Sequence, residues 1–285
     1  MPPWRELEDY LAEDVGLGDI TTEAVIAEGV RVDAEIVAKA SGILAGITEA
    51  SRIFIILDCK VKPLKKDGDH VRKGEKILQI TGDASSVLRG ERVTLNLIMR
   101  MSGIATLTGE FVELSRKINP QVRIACTRKT APGLRLLDKK AVQLGGGDTH
   151  RFRLDDCVLI KDNHLRVVGS VEKAVRLARK HVSFTKMIEV EVSSLSDAVL
   201  AVNAGADIIM LDNLSPPQVQ KIVRALSARK LREKVSIEAS GKIGLENVAK
   251  YAGTGVDVLS VGALTHSAKA LDVSLEITKI SRQVI

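Results

Sequence analysis

Three polar clusters follow one another in the chain. They are Thr127-Arg128-Lys129-Thr130 with Pro132-Gly133, then Gly145-Gly146-Gly147 running into Asp148-Thr149-His150-Arg151, then Lys161-Asp162-Asn163-His164. Arg128, Lys129, His150, Arg151, Lys161 and His164 are cationic or can become so. Guanidinium forks grip carboxylates bidentately, an ammonium serves phosphate as a point charge, and glycine lets backbone N–H groups approach a ligand. Together they suit a small ligand bearing several negative charges. A solvated basic loop is the competing account. Against it, the apolar run Cys157 to Ile160 leads straight into Lys161, and a surface loop needs no buried strand before it.

The elements that would position these groups repeat. Apolar runs fall at Val122–Cys126, Val158–Ile160, Met187–Val192, Ile208–Leu211, Val235–Ala239 and Val258–Val261. Amphipathic stretches separate most of them; Val171, Ala174, Val175 and Ala178 share one helical face, and Val219, Ile222, Val223 and Leu226 another. Alternation of this kind predicts a parallel sheet with crossover helices. The runs end at Arg128 and Lys129, Lys161, Glu191, Asp212, Ser240-Gly241 and Gly262. In a barrel those ends converge on one mouth, whereas a doubly wound sheet would leave most of them idle. A barrel is therefore expected. Glu189 and Glu191 stand two apart and point to one side of their strand. Bland accounts stand beside the functional ones: Glu191 as a helix-entry acid, Asp212 as an N-cap before Pro216, His164 as a structural residue. Glu189, Lys242 and Arg100 are ambiguous.

The first part of the chain has another texture. Residues 3–13 read as a helix with Trp4, Leu7 and Leu11 on one face, and Glu13 to Thr22 as a loop. Val30 to Ala40 alternates as a half-buried antiparallel strand, and Gly42–Ile47 and Ile53–Leu57 continue the apolar pattern. Lys62 to Gly82 carries turns at Asp67-Gly68-Asp69 and Lys73-Gly74-Glu75. It resembles the small barrel of biotinyl and lipoyl carriers but lacks their modifiable lysine turn, so it reads as scaffold. Residues 89–116 form a long helix, with a local kink expected at Ser102-Gly103. Lys269 to Ile285 alternates again and is expected to return to the first domain. The expected division is 1–116 with 269–285, and 117–268.

Composition narrows the classes. The 285 residues are 45% hydrophobic but only 2% aromatic, so an aliphatic core is expected and base-stacking platforms of the single-strand-binding kind are not. The net charge of +6 is spread through the chain rather than gathered in an arm, so anionic small molecules are expected rather than nucleic acid. Cys59, Cys126 and Cys157 form no CxxC pair and suit free thiols in a reducing compartment. There is no signal-peptide pattern, and no apolar run reaches the roughly 18 residues of a membrane span. A soluble, cytoplasmic protein without membrane association is expected.

The clusters that open this section resemble the signatures of the quinolinate phosphoribosyltransferase family. So do Glu91-Arg92 with Ser102-Gly103-Ile104-Ala105-Thr106, Glu189-Val190-Glu191-Val192, Leu211-Asp212-Asn213, Glu238-Ala239-Ser240-Gly241, Val261-Gly262-Ala263 and Gly18-Asp19-Ile20-Thr21-Thr22. Asp148-Thr149 departs from the family, which more often places asparagine beside the histidine. The resemblance implies an incomplete (β/α) barrel with an N-terminal α/β sandwich domain. It implies transfer of phosphoribose from phosphoribosyl pyrophosphate to quinolinate with decarboxylation, giving nicotinate mononucleotide, pyrophosphate and CO2 for NAD biosynthesis. Mg²⁺ would be bound mainly through the pyrophosphate donor, with no direct protein ligand assigned. Thr127, Arg128, Lys129, His150 and Arg151 would surround quinolinate, and Lys161, with Lys129, would meet pyrophosphate. Glu191 and Asp212 would accept from ribose hydroxyls or Mg²⁺-bound water. Lys129, Lys161, Glu191 and Asp212 are the residues expected to act in the chemical step. Ser240, Gly241 and Lys242, with Val261, Gly262 and Ala263, would seat the 5′-phosphate. Arg92 would reach the partner's site in a homodimer, or a multiple of dimers, with shared sites. A transferase of altered base specificity and a non-enzymatic carrier are the rival classes.

Overall fold

The computed structural model describes residues 4–282, which divide into two compact units. The first contains the residues through Gly109, the segment Leu136–Gly146 and the residues from Ala268 on; the second contains Glu110–Arg135 and Gly147–Ser267. In chain order the elements begin α1 (Trp4–Val15), α2 (Ile20–Val25), β1 (Val30–Ala38), β2 (Gly42–Ile43), α3 (Ile47–Ile56), β3 (Lys60–Pro63), β4 (His70–Val71), β5 (Lys76–Asp83) and α4 (Ala84–Arg116). There follow β6 (Arg123–Ala125), α5 (Arg135–Leu144), β7 (Val158–Ile160), α6 (Asp162–Val168), α7 (Val171–His181), β8 (Ile188–Val192), α8 (Leu195–Ala204), β9 (Ile208–Asp212) and α9 (Pro216–Ala228). The last are β10 (Ser236–Ser240), α10 (Val248–Ala252), β11 (Val258–Ser260), α11 (Ala263–His266) and β12 (Val273–Arg282). Among the described residues no helix is long and apolar enough to cross a membrane.

The first unit is built on an antiparallel sheet in the order β12-β1-β5-β3. Alternation in β1 turns Val32, Ala34, Ile36 and Ala38 into an aliphatic core shared with Ile77, Leu78 and Ile80 of β5. The apolar residues of 42–57 are not all strand. Ile47, Ala50, Ile53 and Phe54 recur at helical spacing and are the buried stripe of α3. Asp19 likewise ends the expected loop early, accepting the Thr22 N–H at 3.0 Å to cap α2. Leu7 and Leu11 of α1 are buried as expected; the Trp4 side chain and residues 283–285, which figured in the same expectations, lie outside the described residues.

The division drawn from the sequence does not anticipate that 136–146 joins the first unit. Ion pairs hold it there. Arg100 forks onto the buried Asp138 at 2.8 and 2.7 Å, and Lys140 bonds Glu49 and Asp67 at 2.8 Å. Arg100, ambiguous in the sequence, is thus a structural residue.

The second unit is a parallel sheet in the order β6-β11-β10-β9-β8-β7. Five of its six strands follow one another in sequence around the sheet, and the first, β6, lies beyond the last, β11. That is the cyclic order of a barrel open between β6 and β7. A doubly wound sheet would reverse its order at a switch point, and this one does not.

Ser102 and Gly103 do not interrupt α4, which runs unbroken from Ala84 to Arg116. The glycine serves a close approach instead, because a Cβ there would lie 2.2 Å from the Lys269 carbonyl oxygen. Gly103→Ala gains up to about 1 kcal/mol of helix propensity but must push backbone aside, which costs about 1–3 kcal/mol. A net loss of stability is expected in urea unfolding; an equally or more stable variant would show that the segment yields freely.

Candidate active site

Parallel register sets the site. Glu191 and Glu238 both stand level with Met210, and Asp212 and Ser260 both stand level with Ser240. Residues two apart share a face of a strand, so Glu189 with Glu191, Met210 with Asp212, and Glu238 with Ser240 point to one side. There they line a cavity of about 670 Å³ together with Thr127, Arg128, Lys129, His150, Arg151, Leu159, Lys161, Asp162, Asn163, Asn213, Gly241, Lys242 and Ser260, Glu189 lying deeper.

The loops after the strands are fixed by their own hydrogen bonds. Thr127 Oγ1 accepts the Lys129 N–H at 3.1 Å, and the Lys129 carbonyl accepts from Thr265 Oγ1 at 2.8 Å. The Gly147–His150 segment runs beside β6: the Asp148 N–H donates to Ile124 at 2.7 Å, and the Cys126 N–H donates to Asp148 at 3.0 Å. The Asp148 carboxylate accepts the His150 N–H at 2.8 Å, giving the residue that departs from the family pattern a local task. The Lys161 N–H donates to His164 Nδ1 at 2.9 Å, so His164 caps α6. The N-caps of α8 and α9 are Ser194 and Ser215, which removes the capping accounts of Glu191 and Asp212.

Backbone strain gathers at the same place. Five described non-glycine residues have positive φ, and three of them line the cavity: His150 (φ 50°), Asn213 (φ 56°) and Lys242 (φ 53°). Such residues concentrate where function holds them. Gly241 sits between the strained partners at φ 91°, and a Cβ on it would lie 2.4 Å from Asn213 Oδ1.

Charge is divided across the cavity. Desolvation first, and then the charges of Arg151 and Arg135, pull the Arg128 guanidinium below its usual value. Its Nε is buried with no hydrogen-bond partner among the described residues, a donor left for an anion. Opposite, desolvation and then Asp212 raise the Glu191 carboxyl, against the pull of Lys161. The Asn213 amide donates to the Asp212 carboxylate.

Of the residues expected from the sequence, Thr127, Arg128, Lys129, His150, Arg151, Lys161, Glu191, Asp212, Ser240, Gly241 and Lys242 are brought together. Val261, Gly262 and Ala263 are not in the lining. Val261 is buried, and Gly262 is the small residue against the Lys129 side chain, where a Cβ would lie 3.3 Å from Lys129 Cδ. Arg92 belongs to the first unit and is exposed, 4.0 Å from Glu91. Sequence reading did not place Met210, Ser260, Asn213 or Glu238 in the lining. Strand alternation signals Met210, Ser260 and Glu238, and adjacency to Asp212 signals Asn213. Among the described residues one set of groups has the spacing to hold a metal ion: His150, Glu189 and Glu238, whose ligand atoms lie within 4.8 Å of one another.

Two family descriptions match the chain: quinolinate phosphoribosyl transferase, N-terminal domain, over residues 19–102, and the C-terminal domain of the same enzyme over residues 104–276. A probable nicotinate-nucleotide pyrophosphorylase (carboxylating) of Methanothermobacter thermautotrophicus is 51% identical over 271 residues, spanning 95% of this chain and 97% of that protein. A Bacillus subtilis protein of the same name is 44% identical over 280 residues, 98% of this chain and 94% of that one. The crystal structure of the Ehrlichia chaffeensis nicotinate-nucleotide pyrophosphorylase matches with a TM-score of 0.91 at 34% identity, covering 98% of this chain and 99% of that one.

Gly241→Ala forces a side chain into a left-handed turn and against Asn213. With the fold retained by circular dichroism, ribose 5-phosphate should bind at least about tenfold more weakly by calorimetry. Unchanged affinity would remove the Ser240–Lys242 turn from the phosphate seat.

Proposed function

Since the chain belongs to the quinolinate phosphoribosyltransferase family, we infer that it transfers phosphoribose from phosphoribosyl pyrophosphate to quinolinate and releases CO2. The observation that supports this is the cavity wall, which Arg128, Arg151, Lys129, Lys161, Glu191 and Asp212 all line; on this reading the arginines take the dicarboxylate, the lysines the pyrophosphate and the two acids the ribose.

The residues divide the work. Guanidinium groups hold the two carboxylates, and the unpartnered Arg128 Nε is one such donor. The quinolinate nitrogen takes the ribose carbon as the pyrophosphate oxygen leaves. Positive charge develops on the sugar and negative charge on the leaving group, so Lys161 and Lys129 stabilise departure. Glu191 and Asp212 accept from the ribose hydroxyls. The ring nitrogen, made cationic by the new bond, stabilises the electron pair that departing CO2 leaves on the adjacent ring carbon, and a proton then takes the place of CO2 on that carbon. Glu191 and Asp212 also fit Mg²⁺. They offer hard oxygens, and desolvation and mutual repulsion already favour a cation beside Glu191. The ion would supply charge neutralisation to the pyrophosphate. The three free cysteines fit a reducing cytoplasm.

Shared sites in a dimer follow from Arg92, which matches a substrate-binding position yet lies in the first unit. Arg92→Ala and Arg151→Ala chains, each inactive alone, should regain activity when mixed, because hybrids hold one intact site. Absence of recovery in verified heterodimers would refute sharing.

Nicotinate has one carboxylate and would leave buried cationic donors unpaired, so kcat/KM should favour quinolinate by about 10⁴ or more. Arg151→Ala should narrow that gap, mainly by losing quinolinate. Equal use of both acids by the wild type would favour the transferase of altered specificity.

A further inference from the structure

Two strand ends of the second unit meet at one side chain that the proposed transfer does not use. Asn213 follows Asp212, the last residue of β9, and Gly241 and Lys242 follow Ser240, the last residue of β10. Asp212 and Ser240 stand level in the register. The Asn213 N–H donates to the Ser240 carbonyl at 2.9 Å, which carries the pairing one residue past β9.

Asn213, Gly241 and Lys242 have φ of 56°, 91° and 53°, so both segments turn sharply as they leave the sheet. Asparagine tolerates this left-handed backbone better than most side chains. Further bonds pin the far side of each turn. The Leu214 carbonyl accepts from the hydroxyl of the buried Tyr251 at 2.9 Å, and the Lys242 carbonyl accepts from the Asn247 amide at 2.9 Å.

The Asn213 side chain joins what the two turns carry. Its amide nitrogen donates to Asp212 Oδ2. Its Oδ1 lies against Gly241, so close that a Cβ there would be 2.4 Å away. One end of the amide thus holds the acid of β9, and the other packs on the turn after β10. A carboxylate swings about a broad terminal torsion unless something holds it. Bonded at Oδ2, that of Asp212 keeps one plane.

We propose that Asn213 is a positioning residue: it fixes the Asp212 carboxylate and the Ser240–Lys242 turn at a set separation, so that a ribose 5-phosphate meets its hydroxyl acceptor and its phosphate seat together. The placing of the phosphoribosyl group rests on the proposed function; the bridge between the strand ends does not. Two separate turns would each settle on their own, whereas a shared amide passes a displacement of one to the other. Fixed spacing of this kind lowers the cost of orienting the bound sugar.

The test separates the side chain from the turn it sits in. Asn213→Gly keeps the left-handed backbone and removes the amide. Asn213→Asp keeps the shape and replaces the donor beside Asp212 with a like charge. Asn213 is exposed, so neither change disturbs core packing. With the fold intact by circular dichroism, each should weaken ribose 5-phosphate in calorimetry by about fivefold or more. Each should raise the KM for phosphoribosyl pyrophosphate to match and leave the KM for quinolinate unchanged. Gly241→Ala should cost less affinity in the Asn213→Gly background than in the wild type, because the Oδ1 it would strike is gone, although the Asn213 backbone nitrogen at 2.9 Å remains. Wild-type affinity for ribose 5-phosphate in either single variant overturns the proposal. So do equal rises in both KM values, which a general loosening of the cavity would give, and strictly additive losses in the double variant. A wild type that binds no ribose 5-phosphate refutes the proposed function and the proposal together, so the unmutated protein tells the two failures apart.

Discussion

Parallel register is the constraint from which the site follows. When all six strands of one sheet run the same way, every carboxyl end lies on one edge, and the residue after each strand is delivered there. Short strands suffice, because only the order of their ends matters; β6, β7 and β11 are three residues each. The pleat adds depth. On β8 the outer residue, Glu191, lines the cavity and Glu189, two places earlier, is buried outside the lining, while on β10 both Glu238 and Ser240 reach the lining.

This arrangement reconciles two demands that conflict elsewhere. A site for anions needs cations that are not already neutralised, yet a folded interior tolerates no unpaired charge. Here Glu189 and Glu238 are turned to His150, while Arg128 stays in the wall with a buried Nε that has no hydrogen-bond partner among the described residues. Glu191 and Asp212 are held apart from the arginines on their own strands, where Lys161 is the cation beside them.

Much of this was legible in the sequence. Each of the six apolar runs became a strand of the parallel sheet, because a strand buried on both faces needs near-continuous aliphatic residues and little else has that texture. Polar residues after those runs were legible as cavity lining for the same reason. The first unit was harder. Ile53 to Leu57 is apolar enough to pass for strand, and only the three- and four-residue spacing of Ile47, Ala50, Ile53 and Phe54 betrays a helix. Membership of α5 in the first unit was hidden because it depends on Asp138 and Lys140 finding partners many residues away.

The pairing of β1 with β12 bears on how the molecule is made. Val30 pairs with Arg282 and Ala38 with Val273, so the sheet of the first unit joins residues from opposite ends of the described chain. A ribosome delivers β1 well before β12. Throughout synthesis one edge of β1 therefore lacks its partner, while β5 can already cover the other. The six strands of the second unit are all in hand before β12 emerges, so the sheet of the first unit is completed after that of the second. An uncovered edge of this kind templates association with other chains. The charged residues of β1, Arg31, Asp33 and Glu35, alternate with its apolar ones along that exposed interval, and charges on an edge strand discourage such pairing.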